Sequence, residues 1–222
     1  LVNGYDQPQE VGADRLLAAF AASRTTDVTI RFIDLGTGCG VVGLAYLLLK
    51  RNICQSFGMD CNPELIAAAQ NNTAKLGFSD RFALHTGELA DTRFLENLRM
   101  EASPVQLVMA NPPWRLVGSG RLPATEARRK ALFGDKGTFP LFASAASSLL
   151  EEDGRFACII SPDRLQDMLA ALNGAGLTPY LLQYIHKQKT SPATFVLIEA
   201  RKGAHAKPSV AEPIALYGPE RL

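Results

Sequence analysis

Several things are scarce in this chain of 222 residues, and each scarcity excludes something. There are four cysteines (Cys39, Cys54, Cys61, Cys158), none closely paired in sequence. That is no disulfide framework and no metal-ligand spacing, so all four are expected to be reduced, buried or semi-buried thiols of a cytoplasmic protein, with no metal site. No uninterrupted apolar run reaches about 18 residues, so no spanning helix is expected. No signal-peptide pattern is visible, and the first residue is Leu1 rather than Met. Internal repeats and low-complexity segments are lacking too. A net charge of +1 neither demands nor excludes a nucleic acid, and the distribution of charge matters more than its sum.

What is present is a chain that is 47% hydrophobic, enough for a sizeable core in a single domain. Apolar strands alternate with helices. Val11 to Ser23 carries Leu16, Leu17 and Phe20 at helical spacing. Strands are expected at Ile30 to Asp34, Ile53 to Asp60, Arg81 to Thr86, Val105 to Ala110, Arg155 to Ser161, Tyr180 to His186 and Thr194 to Ala200. Helices are expected at Val41 to Lys50, Glu64 to Leu76, Phe139 to Leu150 and Leu165 to Leu172. Pro63 is placed to open the second of these and Gly77 to end it. The sum is an α/β fold of the doubly wound, Rossmann-like kind: a mostly parallel seven-stranded sheet, an antiparallel C-terminal hairpin, and helices on both faces. Residues 1–25 read as an N-terminal helical segment, 26–202 as the core and 203–222 as a C-terminal extension.

Two stretches carry the chemistry. Asn111-Pro112-Pro113-Trp114 directly follows the apolar run Val105 to Ala110. Paired prolines lack donors and fix φ, so the strand stops there, with an amide and an indole at its carboxyl end. Ligands sit at that edge in open α/β sheets. An amide with neighbouring carbonyls and an aromatic plane suits a planar amino group: it grips the edge and stacks on the ring. The second stretch is Asp34-Leu35-Gly36-Thr37-Gly38-Cys39-Gly40, which runs from a strand into an apolar helix and sets bare backbone against a ligand. Gly38-x-Gly40-x-x-Gly43 also fits the dinucleotide fingerprint, with Asp60 as the acid that would hold a ribose. Asp34 argues against that reading. Its carboxylate would repel a pyrophosphate but would suit the ammonium or sulfonium end of S-adenosylmethionine.

Together these residues resemble the class I S-adenosylmethionine-dependent methyltransferases, from about Val11 to Lys202. Asp34-x-Gly36-x-Gly38-x-Gly40 matches the first motif of that family. Met59-Asp60-Cys61-Asn62 is similar to its second, whose acid binds the ribose hydroxyls, and Gly87-Glu88-Leu89 to its third, near the adenine. The resemblance implies that S-adenosylmethionine is held by Asp34, Gly36, Thr37, Gly38, Gly40, Asp60, Cys61, Glu88, Leu89 and Asn111. Asn111-Pro112-Pro113-Trp114 matches the catalytic motif of the amino-group enzymes, which act on adenine N6, guanine N2 or protein glutamine. The C-terminal half is similar to the bacterial tRNA(Val) adenine-N6 methyltransferases at Ser161-Pro162-Asp163-Arg164-Leu165, Ile185-His186-Lys187 and Pro192 to Gly203, with Pro213 to Tyr217 as a closing segment. Gln7-Pro8 and Asp14-Arg15-Leu16-Leu17-Ala18 resemble the opening of that family. Many members carry Tyr or Phe where this chain has Trp114.

A tRNA partner would need a basic surface. Arg121, Arg128, Arg129 and Lys130 follow the Asn-Pro-Pro-Trp stretch and are expected to meet phosphates, although a solvated charged face is the usual explanation of such a run. His186, Lys187 and Lys189 carry a weaker claim. A protein-glutamine or small-molecule amine enzyme would use the same pocket, because an amide presents the same NH2 pattern. A non-catalytic binder that has kept the fold is the third reading, against which the intact glycines and Asn111 argue.

Overall fold

Strand and helix alternate along the chain as the apolar pattern requires. A computed structural model describes residues 12–26, 30–50, 55–113, 115–116, 133–134, 136–203 and 207–217. Helix α1 is Ala13–Ser23, followed by β1 (Phe32–Leu35), α2 (Val41–Leu49), β2 (Ser56–Asp60), α3 (Pro63–Lys75), β3 (Phe82–Thr86), α4 (Thr92–Ala102) and β4 (Leu107–Ala110). Two short strands, β5 (Arg115–Leu116) and β6 (Phe133–Gly134), pair with each other in parallel. Next come α5 (Thr138–Leu149), β7 (Arg155–Ile160), a 3-10 turn (Pro162–Arg164), α6 (Leu165–Gly174), β8 (Leu177–His186), β9 (Ala193–Lys202), β10 (Ser209–Val210) and β11 (Ile214–Ala215).

The main sheet runs β10-β8-β9-β7-β4-β1-β2-β3, with β11 also paired to β8. All pairs are parallel except β7 with β9 and β8 with β9, the antiparallel hairpin expected at the C-terminal side. The seven expected strands form, and the count of seven is corrected to nine among the described residues. Ser209–Val210 and Ile214–Ala215 are too short for an alternation pattern, and only their pairing with β8 reveals them. Helix α4, among the described residues, lies outside the expected set. Its signals were local: Asp91 accepts from the Phe94 N–H at 3.1 Å as N-cap, and Leu95, Leu98 and Ala102 are buried. β8 begins earlier than expected because Pro179 is accommodated beside a register shift between Pro179 and Leu181.

The continuous apolar runs of β4 and β7 follow from burial on both faces. Side chains alternate between two cores. Phe32, Leu107, Met109, Ala157 and Ile159 pack with α1 and α2. Ile33, Val108, Ala110, Phe156, Cys158 and Ile160 pack with α4, α5 and α6. Helix α3 starts where Pro63 predicts, capped by Asn62, whose side chain accepts from the Glu64 N–H; Gly77, at φ +73°, follows its C-terminal end.

Helix α1 crosses one face of the sheet, about 16 Å end to end at 1.5 Å per residue. Beyond its C-terminus it is tied to the amino edge. Arg24 Nε donates to Glu199 at 2.8 Å, Arg155 Nη1 lies 3.5 Å and Arg201 Nη2 3.4 Å from the same carboxylate, and Glu199 is 1% exposed. Arg155 also donates to the Arg24 carbonyl and the Thr25 hydroxyl, and Thr25 bonds the buried Tyr46 hydroxyl of α2 at 2.8 Å. Removing one partner of a buried ion cluster strands the others. Glu199→Gln should therefore destabilise the fold by about 3 kcal/mol in urea unfolding. A loss below about 0.5 kcal/mol, typical of a surface position, would show that the three guanidinium groups are satisfied without Glu199.

Candidate active site

The strand order brings four sequence-distant turns side by side. In the order β3-β2-β1-β4, the residues after each strand stand along one carboxyl edge: Gly87-Glu88-Leu89, Asp60-Cys61, the glycine turn and Asn111-Pro112-Pro113. Open α/β sheets bind ligands at this edge.

Gly36, Gly38 and Gly40 all have positive φ, at 67°, 55° and 87°, which is why side-chain-bearing residues are absent there. A Cβ on Gly36 would come within 3.2 Å of the Phe142 ring, whereas one on Gly38 would meet nothing within 4 Å. Space therefore lies over the Gly38 backbone, as an approaching ligand needs. The turns are bonded to one another. The Thr37 N–H donates to the Met59 carbonyl at 2.9 Å, Gly38 N–H to Asp60 Oδ2 at 2.9 Å, and Gly87 N–H to the Asp60 carbonyl at 3.1 Å. Asp60 Oδ1 also accepts from the Asn62 N–H at 2.9 Å. A half-buried carboxylate with about four acceptor positions can still receive a diol after two backbone bonds.

Asp34 is expected to meet the cationic end of the cofactor. It is 1% exposed and lies beneath the turn, where Oδ2 accepts from Thr37 Oγ1 at 2.7 Å and from the Gly43 N–H at 3.0 Å. These two bonds brace the turn. Cys61 is exposed, which corrects the expectation of a buried or semi-buried thiol: it occupies the bend between the end of β2 and the Asn62 cap. Cys39 is half-buried and Cys158 buried; burial pushes both thiols up. Glu88 is exposed, while Leu89 is half-buried against the core. Gly87 is needed because a Cβ there would collide with the Phe94 ring at 2.5 Å.

At the end of β4, Asn111 is half-buried and Pro112 buried. Asn111 Nδ2 donates to Asp14 Oδ1 at 2.8 Å. A carboxylate only accepts, so this bond sets which end of the amide is which. Asn111 Oδ1 is then left buried with no partner among the described residues. Sequence reasoning missed Asp14 as a site residue. The signal available was an acid in the first turn of a helix, within the stretch resembling a family opening. Trp114, Arg121, Arg128, Arg129, Lys130 and Cys54 lie outside the described residues. His186 Nδ1 bonds the Ser191 carbonyl at 2.7 Å within the β8–β9 joint, and the Tyr217 N–H bonds the Lys187 carbonyl at 2.9 Å. Arg164 is buried over the Phe139 ring at 4.5 Å and donates to Asp167. Among the described residues there is no group of three metal-ligating side chains, and no helix is long and apolar enough to cross a membrane.

Burial raises the Asp34 carboxyl from 3.8 to about 7, opposed by the bonds from Thr37 and Gly43 and reinforced by Asp14 and Asp60. The folded chain therefore keeps a proton that the unfolded chain loses. This group's contribution to stability is full below pH 3.8, declines as pH rises towards 7, and is flat beyond. The decline amounts to at most about 4 kcal/mol. Asp34→Asn keeps the shape and removes the titration, so it should flatten the pH dependence of unfolding free energy over that window. An unchanged slope in the variant would show that Asp34 titrates as an ordinary carboxylate.

No family model matches the chain. It is 31% identical over 164 residues to a tRNA1(Val) (adenine(37)-N6)-methyltransferase of Porphyromonas gingivalis, covering 71% of this chain and 61% of that protein. It is 28% identical over 176 residues to the release factor glutamine methyltransferase of Caulobacter vibrioides, covering 76% and 57%. The chain thus spans about three fifths of the length of these curated relatives. In three dimensions it is similar to the crystal structure of a predicted O-methyltransferase from Agrobacterium tumefaciens, with a TM-score of 0.71, 20% identity, and 95% and 90% of the two chains covered. By fold the chain is similar to solved methyltransferase structures, and its sequence is similar to those of two amino-nitrogen methyltransferases.

Proposed function

We propose that the chain transfers a methyl group from S-adenosylmethionine to an exocyclic amino nitrogen, adenine N6 of a tRNA being the preferred acceptor. One observation supports this above the others: the buried, unpartnered Oδ1 of Asn111 at the end of β4. A buried acceptor without a donor costs about 1–3 kcal/mol, which a substrate N–H would recover. The space over Gly38 and the half-buried Asp60 fit the cofactor.

S-adenosylmethionine, when bound, supplies an already activated methyl group. The remaining task is positioning. An aromatic amine keeps its lone pair in the ring. Hydrogen bonds from its two N–H groups to Asn111 Oδ1 and the Pro112 carbonyl draw the nitrogen towards tetrahedral geometry and free that pair for attack. No strong base is needed beforehand, and His186 is engaged in its own loop. Trp114 is assigned to stack on the base, a contribution of roughly 1–3 kcal/mol. A single-stranded loop base reaches such a pocket at less cost than a duplex one. The tRNA reading is favoured by the relative's name and by the basic residues Arg121, Arg128, Arg129 and Lys130. A second reading, a protein glutamine as acceptor, is favoured by the release factor relative.

Labelled S-adenosylmethionine with total bacterial tRNA, followed by nucleoside analysis, tests the main reading directly. Asn111→Ala should abolish transfer with cofactor affinity nearly intact, whereas Asp60→Ala should weaken cofactor binding at least about tenfold by calorimetry. Brisk turnover by a folded Asn111→Ala protein would remove the mechanism. Salt separates the acceptors. Each phosphate contact should contribute about −0.7 to −0.9 to the slope of log K against log salt, and Arg128→Glu with Arg129→Glu should flatten it. Identical slopes and affinities would favour the glutamine reading.

A further inference from the structure

Asp14 sits in the first turn of α1, where a carboxylate is favoured beside unpaired helix N–H groups and Gly12 supplies no side-chain cap. It lies 97 residues from Asn111 in sequence, yet its Oδ1 is 2.8 Å from the Asn111 Nδ2. The amide of an asparagine has two ends of nearly equal shape and opposite hydrogen-bonding sense. Turned one way, Asn111 offers an acceptor to an incoming amine. Turned the other, it offers NH2 to NH2, and neither can accept. Sterics alone choose poorly between the two. A carboxylate at one end chooses fully, because it cannot donate.

We propose that Asp14 is a positioning residue for methyl transfer, holding the Asn111 amide so that Oδ1 faces the amine. The inference rests on the reaction proposed above. Two features of the fold support it. The far end of α1 is anchored by the Glu199 cluster, so the helix carries Asp14 to the carboxyl edge at a fixed depth. And Asn111 Oδ1 has no partner among the described residues, so the bond to Asp14 is its amide's one orienting contact there. The negative charge also polarises the amide, enriching the oxygen that accepts from a nitrogen becoming positive as the new N–C bond forms.

A tether for α1 alone would have the same geometry, so the test reads chemistry separately from folding. Wild type, Asp14→Ala, Asp14→Asn, Asn111→Asp and the exchange variant Asp14→Asn/Asn111→Asp are compared for kcat and KM with tRNA or a release-factor glutamine peptide, whichever wild type accepts. Cofactor affinity is measured by calorimetry and folding by melting. Asp14→Ala should lower kcat at least about tenfold, with KM and cofactor affinity within about threefold of wild type. Asp14→Asn should restore only part of that loss, since its amide oxygen can accept from Nδ2 but its NH2 can equally donate to Oδ1. Asn111→Asp sets two carboxylates against each other. The exchange variant puts back one carboxylate and one amide and should recover at least about tenfold over it. Wild-type kcat in Asp14→Ala, or no recovery in the exchange variant, would overturn the assignment. If Asp14→Ala does not fold, the exchange comparison decides alone. A wild type that binds the cofactor but methylates neither acceptor would sink the proposed reaction itself, and the assignment with it.

Discussion

The turns at the carboxyl edge of the sheet are tied together from a buried carboxyl group. Asp34 lies under the glycine turn and draws in Thr37 and Gly43, one at each end of it. From that turn the bonding continues: Thr37 reaches β2 through Met59, Gly38 reaches Asp60, and Asp60 reaches Gly87 after β3. Three turns that would otherwise move independently share one network. Loop positions anchored in this way lose little further entropy when a ligand binds. The cost falls on Asp34, whose proton is retained to about pH 7 by burial.

Helix α1 supplies the second constraint. It lies on the face formed by Phe32, Leu107, Met109 and Ile159, and residues near its two ends are bonded at opposite edges of the sheet. The charge cluster at Glu199 is remote from the carboxyl edge. It still matters for the site, because a rigid helix transmits the placement of Arg24 to Asp14. A residue near the amino edge thereby helps set the geometry of an amide at the carboxyl edge.

Two polar atoms of the site stay unsatisfied among the described residues, Asp34 Oδ1 and Asn111 Oδ1. Folded chains pair most buried polar groups, and exceptions gather where function requires an open valence. Asn111 fits that pattern. Its nitrogen is engaged by the chain and its oxygen is left for something else. The brace at Asp34 differs: both accepted bonds fall on Oδ2, and desolvation explains why the group favours its neutral form.

The strands β1, β2, β3, β4 and β7 were legible in the sequence because each is a short, largely apolar stretch flanked by turn-forming residues, most continuous in β4 and β7. Local chemistry alone produces that signal. The glycine turn and Asn111-Pro112-Pro113 were legible for the same reason: positive φ and a missing donor are properties of single residues. What the sequence could not decide was adjacency. The two-residue strands β10 and β11 exist only through their pairing with β8. The burial of Asp34, the exposure of Cys61 and the Asp60–Gly38 bond depend on how neighbouring turns fit. The contact between Asp14 and Asn111 depends on a helix lying across the whole sheet. The sequence determined which functional groups stand at the strand ends and turns, since that is a matter of side-chain identity and local backbone. Only the tertiary structure decided which of them meet, since contacts between segments many residues apart are set by packing and strand order.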